Sequence, residues 1–299
     1  RIGYKPKFAG AVEAVASTGG QIMPPIMGSA VFIMAQLLST SYIKIVVSAF
    51  IPAILYFVTL YLIIDLEAGK TKLHGLPKNE IPLLGQVLRS RGYFLIPLLV
   101  LIFFLVILRT SIIRAALWSI LSTIVVAAFR RETRMVPSKI IEAFVGGALK
   151  VLPIAAACAC AGIVIGVFLL TGFGFKFSAA ILSLSGGNVF LVLLMSALAG
   201  ITRGSGLPTT AGYLSCSAIL APAIIETSFY RNTAHLFIFY FAILSAITPP
   251  VALAAFSAAG IAGSNPVTVG FNAMKIGVVA YLVPFMFVYR PELLAQGSL

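Results

Sequence analysis

Hydroxyl residues and glycines stand beside prolines at three places in an otherwise apolar chain. Ser17-Thr18-Gly19-Gly20-Gln21 precedes Pro24-Pro25, Gly204-Ser205-Gly206-Leu207 leads into Pro208-Thr209-Thr210, and Ser245-Ala246-Ile247-Thr248 precedes Pro249-Pro250. Apolar runs flank each cluster, so each reads as an interruption of helix. Carbonyls that end the first half of an interrupted helix suit a cation, and N–H groups that open the second half suit a carboxylate. Ser17, Thr18, Gly19, Gly206, Thr209, Thr210, Ser245 and Thr248 are therefore the candidate cation-binding residues, with hydroxyls completing an oxygen shell. Sodium is the natural ion, because no acidic cluster is present to hold a divalent one. Gln21, Pro24, Pro25, Arg203, Pro208, Pro249 and Pro250 are the candidate substrate-binding residues. For any single hydroxyl, satisfying backbone at the helix break is as good a reading as ligation.

Arg203 is the one basic residue expected deep in a re-entrant element, where ionisable groups are functional by default. Its guanidinium fits a substrate carboxylate in a bidentate fork; pairing with Glu13 and snorkelling to the outer surface are the alternatives. Gln21 donates either to a substrate oxygen or to loop backbone. Enzyme chemistry has little to stand on. His74 and His235 lack a partner at metal-ligand spacing, Cys158, Cys160 and Cys216 lie in apolar stretches, and no carboxylates are paired in the apolar runs.

The elements that must position these groups are membrane helices. Hydrophobic residues make up 60% of the 299 and charged ones only 10%, against a globular norm of about 45–50% and about 25%. Mean hydropathy is +1.08. The expected fold is an all-α polytopic membrane protein forming a single transmembrane domain over residues 1–299. Its spans are read at 42–66, 93–108, 112–129, 153–170 and 271–289, with broken helices at 8–38 and 233–262. Val189 to Ile201 and Ala211 to Ile225 are each too short to cross, so 189–226 reads as a re-entrant hairpin with its tip at Gly204 to Pro208. Pro208 is expected at the first position of the returning helix. Ile81 to Leu88 reads as an amphipathic turn on the membrane surface, Ser138 to Val151 as an interfacial helix, and Thr171 to Asn188 as a loop.

The formal charge of +13 does not point to nucleic acid, because the basic residues sit in short loops rather than on one face. Lys5, Lys7, Lys70, Lys72, Lys78, Arg89, Arg91, Arg130, Arg131, Arg134 and Lys139 fall on one side of an alternating threading, which the positive-inside rule makes cytoplasmic. Lys44, Arg109, Arg114, Lys176, Arg231 and Arg290 fall on the other. The two Pro-Pro breaks then run in opposite senses, as inverted repeats of a secondary transporter require. The hairpin tip precedes Pro249 by about 40 residues, so its counterpart in the first repeat would lie before residue 1. A missing N-terminal part is therefore expected.

Glu13 to Pro25, Leu207-Pro208-Thr209-Thr210-Ala211 and Ala242 to Ala254 resemble signatures of the large membrane subunit of the TRAP (tripartite ATP-independent periplasmic) transporters, in the branch where small and large subunits are fused. The likeness runs to about Leu294. Arg203 and Ser205 depart from it, standing where apolar residues are expected around the glycines. The resemblance implies a multi-pass permease of the bacterial inner membrane working by elevator-type alternating access. It implies sodium-coupled symport of a small carboxylate-bearing solute delivered by a periplasmic binding protein, of TAXI type in the fused branch. An ion channel or pore subunit is the alternative, since pores also use broken helices.

Overall fold

The structure is a computed structural model that describes residues 3–73, 83–129, 136–227 and 229–296. His74, Lys78, Ile81, Arg130, Arg131 and Arg134 lie outside the described residues. Among those described, the chain is helical with no strand. It divides into two compact units, one within Gly3–Leu73 and Ile154–Leu299, the other within His74–Pro153. Most of the helices are apolar and several are long, and the fold is that of an all-α polytopic membrane protein.

The first unit begins with α1 (Pro6–Gly19) and α2 (Ala30–Leu37), separated by the first break. A crossing helix follows, α3 (Tyr42–Lys70), long and apolar enough to span despite Pro52 inside it. In the second unit α4 (Leu84–Arg91), a 3-10 turn at Gly92–Leu95, α5 (Ile96–Ile102) and a π turn at Phe103–Ile107 form one course of crossing length, Leu84–Ile107. The helix thus starts before Tyr93. Gln86, Arg89 and Arg91 make its first turns polar, and polarity hides a helix from a hydropathy reading without preventing it from forming. Arg109, at φ +49°, turns the chain into α6 (Ile112–Ala128), and Ser111 caps α6 by accepting from the Arg114 N–H at 3.5 Å. Ser119 Oγ donates to the Pro97 carbonyl at 2.9 Å, and Phe104 stacks on Trp118, which closes this pair.

α7 (Pro137–Thr171) is one helix across the stretch read as an interfacial helix plus a span. Pro153 inside it removes a single N–H, and the helix continues through that gap. The expected loop after it is largely helix: α8 (Phe173–Leu184) starts at Gly172, which takes the left-handed conformation at φ +64°. Gly172 and Gly174 suggest a loop, yet Phe173, Phe177, Ala180, Ile181 and Leu184 repeat at helical spacing. α8 packs on the hairpin's second arm, with Ser178 Oγ donating to the Ile219 carbonyl at 3.4 Å.

The hairpin is α9 (Val189–Gly204) and α10 (Thr209–Glu226), joined by a four-residue tip, Ser205 to Pro208. Asn188 caps α9 through the Phe190 and Leu191 N–H groups. The second broken helix is α11 (Arg231–Leu244) and α12 (Leu253–Ala262). The chain closes with α13 (Pro266–Ile276) and α14 (Val278–Tyr289), bent by 41° at Gly277. Between lipid tails the hydrophobic effect does not draw helices together, so packing rests on steric fit. Here aromatic edges supply much of it: Phe237, Phe241 and Phe285 meet at 4.8 to 5.9 Å, and Tyr213 meets Phe239 edge to face.

Candidate functional site

Two kinds of helix end meet at the hairpin tip. On its incoming side α9 ends at Gly204 against the end of α11. A Cβ placed on Gly204 would lie 2.7 Å from Ser245 Oγ and 3.3 Å from the Ala242 carbonyl. No residue but glycine fits there. Both helices thus bring their C-terminal carbonyls, and the partial negative charge those carry, to one place. Ser245 Oγ donates to the Ala242 carbonyl at 2.7 Å, so the oxygen keeps lone pairs for a further partner. The tip itself turns through Gly206 at φ +79°, which lies beside Val251 of the second break.

On the outgoing side the N-terminus of α10 meets that of α2. Thr210 Oγ1 and Ser29 Oγ are 2.7 Å apart, with Ser29 at the N-cap of α2 and Thr210 in the first turn of α10. The N–H groups of both first turns carry partial positive charge, which suits an anion. Carbonyl ends and N–H ends are separated by only the four residues of the tip.

Three tyrosines brace these breaks, and none carried a sequence signal. Tyr56 OH donates to the Val15 carbonyl at 2.6 Å, and Gly19 lies flat against the Tyr56 ring. Tyr42 OH reaches the Pro25 and Ile26 carbonyls at 2.7 and 2.9 Å. Tyr281 OH lies 2.6 Å from Thr248 Oγ1, which in turn donates to the Leu244 carbonyl at 2.6 Å. A hydroxyl has one proton, so Tyr281 is the donor to Thr248. The bend that places Tyr281 packs against the second break and against α1, since a Cβ on Gly277 would lie 3.1 Å from Ile247 and 3.8 Å from Val15. Tyr281→Phe is expected to cost about 1 kcal/mol, and to cost almost nothing further in a Thr248→Val background. Thermal unfolding of the four proteins of that cycle measures it; equal losses in both backgrounds would contradict the pairing.

The remaining residues singled out by sequence fall as follows. Thr18, Gly19, Thr210, Ser245 and Thr248 are buried, and Thr209, Gln21, Pro24, Pro25, Pro208 and Pro249 are half-buried. Gly206, Pro250 and Arg203 are exposed, Arg203 in the last turn of α9, where the helix dipole favours a cation. Ser17 is exposed and donates to Glu13 Oε1 at 3.3 Å, on a face of α1 turned away from buried Thr18. Gln21 closes the first break, its carbonyl accepting from the Gly28 N–H at 2.8 Å. Pro208 sits one position earlier than expected, at the N-cap of α10 with ψ 141°, and its carbonyl accepts from the Gly212 N–H at 2.9 Å. Both Pro-Pro bonds are cis. Ser29 was missed, although a serine just before an apolar helical run is a legible N-cap signal.

His235 Nδ1 lies 2.7 Å from the buried Tyr213 hydroxyl, and Cys216 packs against the Gly200 carbonyl. Among the described residues no three His, Cys, Asp or Glu side chains are grouped to hold a metal.

A helical hairpin whose tip meets two broken helices, in a chain this apolar, is an arrangement of membrane helices rather than of a soluble binding module. The model of the DctM component of the tripartite ATP-independent periplasmic transporters matches residues 1–299, and the chain belongs to that family. No curated protein matches it. It is accordingly a TRAP permease component, multi-pass in the membrane, from a family of transporters whose systems include a periplasmic binding protein.

Proposed function

We propose that this permease carries a small carboxylate-bearing solute inward together with sodium, across the bacterial inner membrane, by an elevator-type movement. The observation that carries the reading is the hairpin tip. Carbonyl ends at Gly204 and Ser245 face one side of it, and N–H ends at Ser29 and Thr210 face the other. Sodium as cargo fits oxygen donors that are carbonyls and hydroxyls without a carboxylate cluster. The ion's charge beside the α2 and α10 N-termini favours a bound carboxylate, and the carboxylate favours the ion, which is the reciprocity symport needs. The solute arrives on a periplasmic binding protein, of TAXI type in this reading, and the permease acts with an N-terminal part that includes the small-subunit segment.

The test needs no knowledge of the solute. Thermal unfolding of the intact permease in detergent is compared in sodium and in potassium at equal ionic strength. At 100 times its dissociation constant an ion that binds only the folded state adds about 2.7 kcal/mol. Sodium alone is expected to raise the melting temperature, and Ser245→Ala to move the midpoint of that effect to higher sodium. Equal stabilisation by the two ions would overturn sodium coupling.

A further inference from the structure

Lysines far apart in the chain converge at the end where α1 begins and α3 and α13 end. Lys5 is the N-cap of α1, Lys70 is the last residue of α3, and Lys275 stands in the last turn of α13. Together with Lys7 they line one pocket of about 420 Å³. This is the end that the bias of basic loop residues assigns to the cytoplasm. Topology alone requires only that lysines lie on that side; it does not require three helices to bring four of them around one cavity.

We propose that this pocket binds the headgroup of phosphatidylglycerol from the adjoining leaflet. Basic pockets between membrane helices at the cytoplasmic face attract anionic headgroups. The lysine ammonium groups are donors only and suit the phosphodiester. Glu67 and Asn272 also line the pocket and select the rest of the headgroup. Asn272 Nδ2 donates to the Thr268 carbonyl at 2.7 Å, which leaves its Oδ1 to accept. A bare phosphate would set its charge against Glu67, whereas the hydroxyls of a glycerol headgroup donate to both acceptors. Phe8, Ile63 and Ile276 make the remaining wall apolar, beside the crossing helix α3, as acyl chains require. Because α1 carries the first break, the lipid ties the start of that broken helix to α3 and α13.

The delipidated intact permease in neutral detergent is titrated with phosphatidylglycerol, with phosphatidylcholine and with inorganic phosphate, and binding is read by native mass spectrometry and melting temperature. Phosphatidylglycerol is expected to bind and stabilise, and the Lys70→Gln/Lys275→Gln protein to bind it roughly 30-fold more weakly, at about 1 kcal/mol for each lysine. Lys70→Arg/Lys275→Arg is expected to retain binding, and so is Lys44→Gln at the opposite end. Undiminished affinity in the glutamine double variant would overturn the proposal. So would equal binding of phosphatidylcholine, or stabilisation by inorganic phosphate that matches the lipid.

Discussion

Gly204→Ala is expected to abolish most uptake, to about a tenth of the wild-type rate or less, while leaving the protein in the membrane. The methyl carbon would stand 2.7 Å from Ser245 Oγ and 3.0 Å from Ser245 Cβ. Neither atom can retreat easily, because Ser245 is buried, short, and tied to the Ala242 carbonyl. The hairpin must therefore shift away from the second break by several tenths of an ångström. Overpacking of this kind costs about 1–3 kcal/mol, and it falls where two sets of carbonyls meet, at the cation site proposed above. The control separates packing from ligation. Ser245→Gly in the Gly204→Ala background restores clearance and is expected to recover the melting temperature without recovering sodium-dependent stabilisation. Uptake by proteoliposomes containing the complete system, together with the sodium titration, reads both effects. Wild-type uptake by Gly204→Ala would show that the two helix ends need not touch.

The largest loss of stability is expected from Gly19→Ala. Its Cβ would overlap Tyr56 Cε1 and lie 2.9 Å from two further ring atoms. The ring is only 3% exposed and its hydroxyl is engaged by the Val15 carbonyl, so it cannot swing aside without losing that hydrogen bond. Overpacking and the lost buried bond together amount to about 3 kcal/mol. Thermal unfolding in detergent should show a clear drop in melting temperature. Tyr56→Leu removes the ring, so adding Gly19→Ala to that variant is expected to cost little, giving a coupling energy of about 2 kcal/mol. Additive losses would mean that the ring yields, and that Gly19 is required for some other reason.

Both predictions concern contacts that no local pattern announces, which marks how far the sequence reaches in this protein. Apolar composition and short polar loops determined the class, because satisfying every backbone N–H and carbonyl within lipid leaves helices as the solution for chains of this hydropathy. Proline, glycine and hydroxyl residues marked Gly20, Ser205 and Ser245 as places where helix stops, since those residue types act on their own backbone. The motifs around them were enough to identify the family. Hydropathy misplaced what does not depend on it: α4 is helical although polar, and α8 is helical between glycines. Only the tertiary structure decided which ends meet. Ser29 and Thr210 are 181 residues apart, and Tyr281 reaches Thr248 across 33. Such pairings depend on how closely helices can approach, and approach in a bilayer is governed by steric fit at Gly19, Gly204 and Gly277 rather than by any residue's intrinsic preference.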